Sequence, residues 1–159
     1  MEALHARHYV ALLRVAVALV DSDAAAEDVV QDAFLSVLRK WHTIREPELA
    51  EVYLRRAVIN GARDQLRRRR VRRLLHIPES VAPAGPEETV LLRDEHREVL
   101  TALQTLPTRQ REVLVLRHLT GLSEAATAAA LNISVAAAKS AAHKGTVNLR
   151  ARLTSGETP

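Results

Sequence analysis

The chain has 159 residues, room for one ordinary domain or two small ones; 47% hydrophobic and 26% charged residues fit a folded protein and exclude a disordered one. Aromatics are only 3% and there are five glycines, so the core must be built from Leu, Val and Ala, which suits helix packing and speaks against a many-turned all-β fold. No cysteine is present, which excludes disulfide staples and Cys-ligated zinc and fits a reducing cytoplasm.

The first helix is expected over about residues 3–20, where Leu4, Leu12, Leu13, Val15, Ala16 and Leu19 recur at helical spacing. Glu2, His5, Arg7, His8 and Arg14 interrupt its apolar run, and the run ends at Asp21. It therefore lacks the form of a secretory signal and falls short of the roughly 20 residues a membrane-spanning helix needs. An amphipathic core helix of a cytoplasmic protein is expected, with no membrane insertion. Asp21-Ser22-Asp23 ends this helix and caps the next, with Asp23 accepting from free backbone amides and Glu27 and Asp28 near the positive end of the helix dipole. The second helix carries an apolar stripe of Val30, Ala33, Phe34, Val37, Leu38 and Trp41. Asp28, Gln31, Asp32 and Arg39 fall on the other face. A loop follows from His42 to Pro47, with Pro47 suited to start a third helix over about residues 48–70.

Charge is distributed unevenly. The net charge is +4, yet residues 55–73, RRAVINGARDQLRRRRVRR, hold nine arginines against the single acid Asp64, so this segment alone is +8 and the rest sums to −4. Residues 21–32 are the reverse, with Asp21, Asp23, Glu27, Asp28 and Asp32 and no base. A charge run is often a solvated face, but concentrated arginine favours phosphate, because guanidinium matches phosphate oxygens and binding releases counterions.

Residues 76–86 contain three prolines and a glycine; proline lacks an amide donor and disfavours helix before it, so this segment is read as a flexible linker and a domain boundary. Helix resumes near Glu87, with Leu92, Val99, Leu100, Leu103 and Leu106 as apolar positions. Pro107 marks a break before a helix over 108–119 with Val113, Leu114 and Leu116 inward, and Gly121 is a natural stop. Ser123 can cap a short helix over 124–131. Asn132-Ile133-Ser134 forms a tight turn, with Asn tolerating the left-handed conformation and Ser134 capping a last helix over 135–152.

The last two helices have the form of a helix-turn-helix. Ala125, Ala126, Ala128, Ala129 and Ala130 permit a close approach, and the longer second helix carries Lys139, Ser140, His143 and Lys144. Such a second helix enters a DNA major groove. No rival enzyme constellation stands: there is no Gly-rich phosphate loop and no His-Glu-x-x-His pattern, and the histidines at 5, 8, 42, 76, 96, 118 and 143 are scattered. Glu2-Ala3-Leu4-His5 matches one half of a di-iron helix motif whose second half is missing. No catalytic residue, metal or cofactor is expected, and the protein is read as a non-enzyme.

Taken together, residues 5–153 resemble an extracytoplasmic-function (group IV) sigma factor of the sigma-70 superfamily. Four stretches in order carry the resemblance: DAAAEDVVQDAFLSVLRKW (23–41), YLRRAVINGARDQLRRRR (53–70), LPTRQREVLVLRHLTGLS (106–123) and ALNISVAAAKSAAHKG (130–145). It implies an all-α protein of two small helical domains. Residues 1–75 would form the sigma region 2 bundle, 76–86 the linker, 87–153 the region 4 helix-turn-helix and 154–159 a tail. The chain ends soon after the last helix, so no added C-terminal domain is expected. The implied partners are core RNA polymerase, through its β′ clamp and β subunits, and promoter DNA. The family is often held inactive by an anti-sigma protein, and the linker would permit such closure. By position, Asp28, Gln31 and Asp32 would dock on the clamp. Trp41, Arg45, Arg55, Arg56, Asn60, Arg63 and Arg67 would serve the −10 element, with Asn60 at a flipped base and Arg55, Arg56 and Arg63 on phosphates. The Arg67–Arg70 run reads as a further DNA clamp or as a soluble helix end. Lys139, Ser140, His143 and Lys144 would serve the −35 element. This chain departs from the pattern at Ala141 and Ala142, where many members carry a large or basic residue, so −35 recognition would lean on DNA shape. Two other readings fit parts of the chain: a stand-alone helix-turn-helix regulator, and an all-α adaptor or decoy that occupies the polymerase.

Overall fold

A computed structural model describes residues 1–79 and 86–156. Those residues form helices and no strand: α1 (Glu2–Leu19), α2 (Asp23–Arg39), a short 3-10 turn (Trp41–Thr43), α3 (Glu48–Leu74), α4 (Glu87–Glu95), α5 (Arg97–Gln104), α6 (Thr108–His118), α7 (Glu124–Leu131) and α8 (Val135–Gly156). The all-α expectation therefore holds. Part of the expected linker, 80–85, and the end of the tail, 157–159, lie outside the described residues.

The centre of the molecule is the second half of α1. Every residue from Leu12 to Val20 except Arg14 is buried. A helix that is apolar all round must be covered all round, and α1 packs on α2 and α3 on one side and on α4, α5 and α6 on the other. The run VAVALV is thus the shared core of both helical sets, rather than one stripe of an amphipathic helix. Fully buried Leu13, Leu54, Ile59 and Leu116 anchor the packing.

Local rules set most helix ends. Ser123 Oγ accepts from the Ala126 amide at 3.0 Å and Ser134 Oγ from the Ala137 amide at 3.0 Å, while Asn132 closes α7 in the left-handed conformation (φ 55°). The cap of α2 differs from expectation. Ser22 is the N-cap, its Oγ accepting from the Ala25 amide at 3.2 Å, because Asp23 is drawn into an ion pair with Arg93. The third helix runs to Leu74, past the expected end at 70, since nothing in Val71–Leu74 breaks a helix. The helix after the linker breaks at His96 into α4 and α5, and α8 continues to Gly156.

Glu27, read from sequence as an acid near a helix start, is buried. Its carboxylate accepts from Tyr9 Oη at 2.9 and 3.0 Å and from Thr89 Oγ1 at 2.7 Å. Burial, with the Glu27 carboxylate beside it, pushes the Tyr9 phenol up from 10.0 to about 12. The fold therefore favours the neutral phenol. Its contribution is complete below the unfolded-state pKa and is lost as pH rises through the folded one. Wild type should lose about 1 kcal/mol more than Tyr9→Phe between roughly pH 9 and 12, the partly exposed site screening the rest. Urea unfolding of both proteins across that range checks it; parallel pH profiles would refute the assignment.

Candidate nucleic-acid interface

Three surfaces stand out. The first lies between α2, the turn after it and α3. Gly61 lets the two helices meet closely, because a Cβ there would stand 3.2 Å from Val29 Cγ1. Beside this contact opens a pocket of about 440 Å³ lined by Asp32, Ser36, Lys40, Ile44, Tyr53, Arg56, Asn60 and Asp64, among others. Tyr53, Asn60 and Asp64 follow one another at helical spacing along the same side of α3. Tyr53 offers an exposed ring face and Asn60 an exposed amide. An aromatic platform beside an amide is a fitting receptor for an unstacked base.

The expected −10 set is only partly gathered there. Asn60 and Arg56 line the pocket. Trp41 is half-buried against the core and Arg45 is exposed, both on the adjoining turn. Arg55 pairs with Glu51 at 2.8 Å, and Arg67 pairs with Asp64. Arg63 turns away to α6, where its Nε donates to Glu112 Oε2 at 2.6 Å. Tyr53 and Lys40 were missed by sequence reasoning. An exposed tyrosine one turn before the arginines was the available signal.

The arginine run divides. Burial pulls the Arg69 guanidinium down, but Asp21 and Glu79 outweigh it and hold it above its ordinary range. Arg68, Arg70, Arg72 and Arg73 are exposed and in no ion pair among the described residues. They form a cationic tip on α3 suited to a phosphate backbone.

The second surface is α8. Lys139, Ser140, His143 and Lys144 are all exposed on its N-terminal half, as a groove-entering helix requires. Ala141 is buried and Ala142 half-buried, both packed against the core. Their small size therefore removes nothing from the exposed side. The alanines that do lie on it are Ala136 and Ala137.

The third surface is the outer face of α2. Asp28, Gln31 and Asp32 are exposed together, as expected. Leu38 was expected inward, yet Leu35 and Leu38 are 47% and 48% exposed on this same side. With Phe34, Gln31, His5 and Tyr9 they edge an open groove of about 570 Å³, in which the His5 ring stacks on Tyr9 at 4.6 Å. An apolar strip flanked by acids and an amide has the composition of a protein interface. Among the described residues no group of acids and histidines could hold a metal ion, and no helix is long and apolar enough to cross a membrane.

Residues 4–72 match the family described as Sigma-70 region 2, and residues 96–149 match Sigma-70, region 4. The chain is 36% identical to the RNA polymerase sigma-E factor of Streptomyces coelicolor, over 90% of this chain and 80% of that one. It is 34% identical to the RNA polymerase sigma factor CnrH of Cupriavidus metallidurans, over 94% and 84%. The solved structure of CnrH with the cytosolic domain of CnrY superposes with a TM-score of 0.69 at 28% identity, covering 99% of this chain and 88% of that one. RpoE from Bartonella quintana, in complex with the anti-sigma factor NepR, shares the fold at a TM-score of 0.71 and 22% identity, over 97% and 98%.

Proposed function

Given that the chain belongs to the extracytoplasmic-function sigma factors of RNA polymerase, we propose a division of labour among the three surfaces, and a place for the protein in group IV of that class. It is a sigma factor, directing core polymerase to specific promoters and supporting strand opening at the −10 element. The α2 face, with Asp28, Gln31 and Asp32 around Leu35 and Leu38, docks on the β′ clamp. The pocket beneath Tyr53 and Asn60 takes an extruded −10 base, while Arg56, Arg45 and the α3 tip follow phosphates. The exposed residues of α8 from Lys139 to Lys144 contact −35 DNA. Bond-making is left to the polymerase, and the protein works in the cytoplasm where that enzyme is.

The observation that carries this reading is the coexistence, on adjoining faces of one helix, α2, of an acid-flanked apolar strip and a pocket roomy enough for a base, with Asp32 between them. A duplex-binding regulator has no use for that pair. The two solved relatives bind CnrY and NepR, and an anti-sigma protein is a proposed partner here too.

Adding the protein to core polymerase on a genomic promoter library should give specific transcripts, and a pull-down showing no core binding would sink the reading. Reversing Asp28 and Asp32 together to arginine should weaken core affinity about tenfold, or ~1.4 kcal/mol. Unchanged affinity by titration would remove both residues from the docking face.

A further inference from the structure

A further recess, of about 280 Å³, lies where α1 meets α5, α6 and α8, and none of the three surfaces above uses it. Its floor is apolar and buried, with Val17 of α1, Leu103 of α5 and Leu114 and Val115 of α6 among its residues. Three hydrogen-bond donors converge on it from separate parts of the chain. Arg14 comes from α1, His96 from the break between α4 and α5, and His118 from the last position of α6. All three are exposed, so they form the rim, and none is in an ion pair among the described residues. No carboxylate lines the recess among the described residues.

The chemistry of floor and rim narrows the occupant. Val99 and Leu119 also line the recess and are 41% and 52% exposed, so apolar surface stays uncovered at its mouth. Arg14 is the single residue between Leu12 and Val20 that is not buried. An arginine beside an apolar wall lays its stem along the wall and keeps its head in water. With no acid beside it, that head is open to an anion, and a guanidinium offers paired donors to a carboxylate. An imidazole N–H donates in either protonation state, so His96 and His118 add donors without having to be charged. A cation would be repelled by Arg14, and a neutral apolar molecule would leave the rim unused. A phosphate monoester would bring nearly two negative charges against one permanent positive charge. An apolar cavity of about 150 Å³ holds one benzene ring, so 280 Å³ accommodates a chain or ring system of roughly twice that bulk.

We propose that this recess binds a soluble amphipathic carboxylate, with its hydrocarbon part between α1, α5 and α6 and its head on Arg14, His96 and His118. The inference goes beyond the promoter-binding reading and stands without it, because neither DNA nor polymerase takes part.

Octanoate below its micelle concentration is the probe. Calorimetric titration of the full chain should show a single saturable site, with octylammonium and acetate each binding at least tenfold more weakly, the one lacking the anion and the other the chain. Arg14→Gln keeps most of the stem and should weaken octanoate about threefold to tenfold, the range for one charge-assisted hydrogen bond at an exposed position, while octanol binding stays the same. Octanoate and octylammonium binding alike, Arg14→Gln binding octanoate as wild type does, or no saturation at all would each overturn the proposal. The place of binding is read in the unsubstituted protein from its seven histidine rings by nuclear magnetic resonance. Octanoate should move the ring signals of His96 and His118 and leave those of His5, in the α2 groove, and His143, on α8, where they are. Movement of His5 or His143 without His96 and His118 would place the ligand elsewhere and overturn the site, and this measurement decides even if Arg14→Gln fails to fold. Failure of any of these leaves the sigma reading intact, since that reading is tested by core binding and transcription.

Discussion

Replacing Arg111 with methionine is expected to lower the stability of the protein by about 3–5 kcal/mol, the range for breaking a buried charged network from one side. The reason is the density of its contacts. Its guanidinium donates to Leu103 O at 3.0 Å, Leu19 O at 3.1 Å, Gln104 O at 2.9 Å and Leu106 O at 3.2 Å. Those carbonyls belong to the ends of α1 and α5 and the turn after α5, where helical carbonyls lack intrahelical partners and the dipole is negative. One side chain therefore closes two helix termini and joins them to α6. Burial pulls the guanidinium below its ordinary pKa, with Asp21 and Glu112 opposing the shift. The group stays charged at neutral pH because its ordinary pKa is so high. Methionine fills similar space but leaves the four carbonyls without this donor. Lysine should recover less than half of the loss, since a single ammonium cannot present a planar fork to carbonyls on three sides. Urea unfolding followed by circular dichroism reads both variants. A loss below about 1 kcal/mol for Arg111→Met would mean that water satisfies these carbonyls and that the capping argument is wrong.

That contact marks the limit of what the sequence discloses. Features governed by neighbours in the chain were readable: the caps at Ser123 and Ser134, the left-handed Asn132, and the start of α3 after Pro47. So were the exposed positions Asp28, Gln31 and Asp32 on α2 and Lys139, Ser140, His143 and Lys144 on α8, because helical period fixes which residues share a face. Features that depend on pairing across the fold were not. Arg111 stands next to Glu112 in a stretch that reads as polar surface, yet both are buried, each meeting a partner in the first half. Arg63 looked like a DNA contact for the same reason in reverse, since nothing local announces Glu112. The break at His96 carries neither glycine nor proline. Leu38 continued an apolar stripe by period alone. A stripe that also takes in Leu35 is wider than one packed face needs, and that excess width was the readable sign that part of it stays outside the core.

The largest functional effect is expected at the α3 pocket. Asn60→Ala and Tyr53→Ala should each slow open-complex formation on duplex promoter by about tenfold or more, with core binding unchanged. A good amide-to-base pair is worth about 1–3 kcal/mol, and stacking of a base on an aromatic ring about as much. Extruding a base costs a few kcal/mol of lost stacking and pairing, which only the receiving pocket can return. The cost is absent when the −10 region is supplied already unpaired. Both variants should therefore be far less impaired on a premelted template than on duplex. That difference separates a base receptor from a phosphate contact: Arg56→Ala removes a contact present in both templates, so its defect should be alike on the two and should grow with salt. Tyr53→Phe keeps the ring and should retain most of the activity, which distinguishes stacking from a hydroxyl hydrogen bond. If Asn60→Ala opens duplex promoter at the wild-type rate, the pocket between α2 and α3 is not where the strand is held. The strand would then have to follow the exposed arginines from Arg68 to Arg73, which offer it phosphate contacts and no means of telling one base from another.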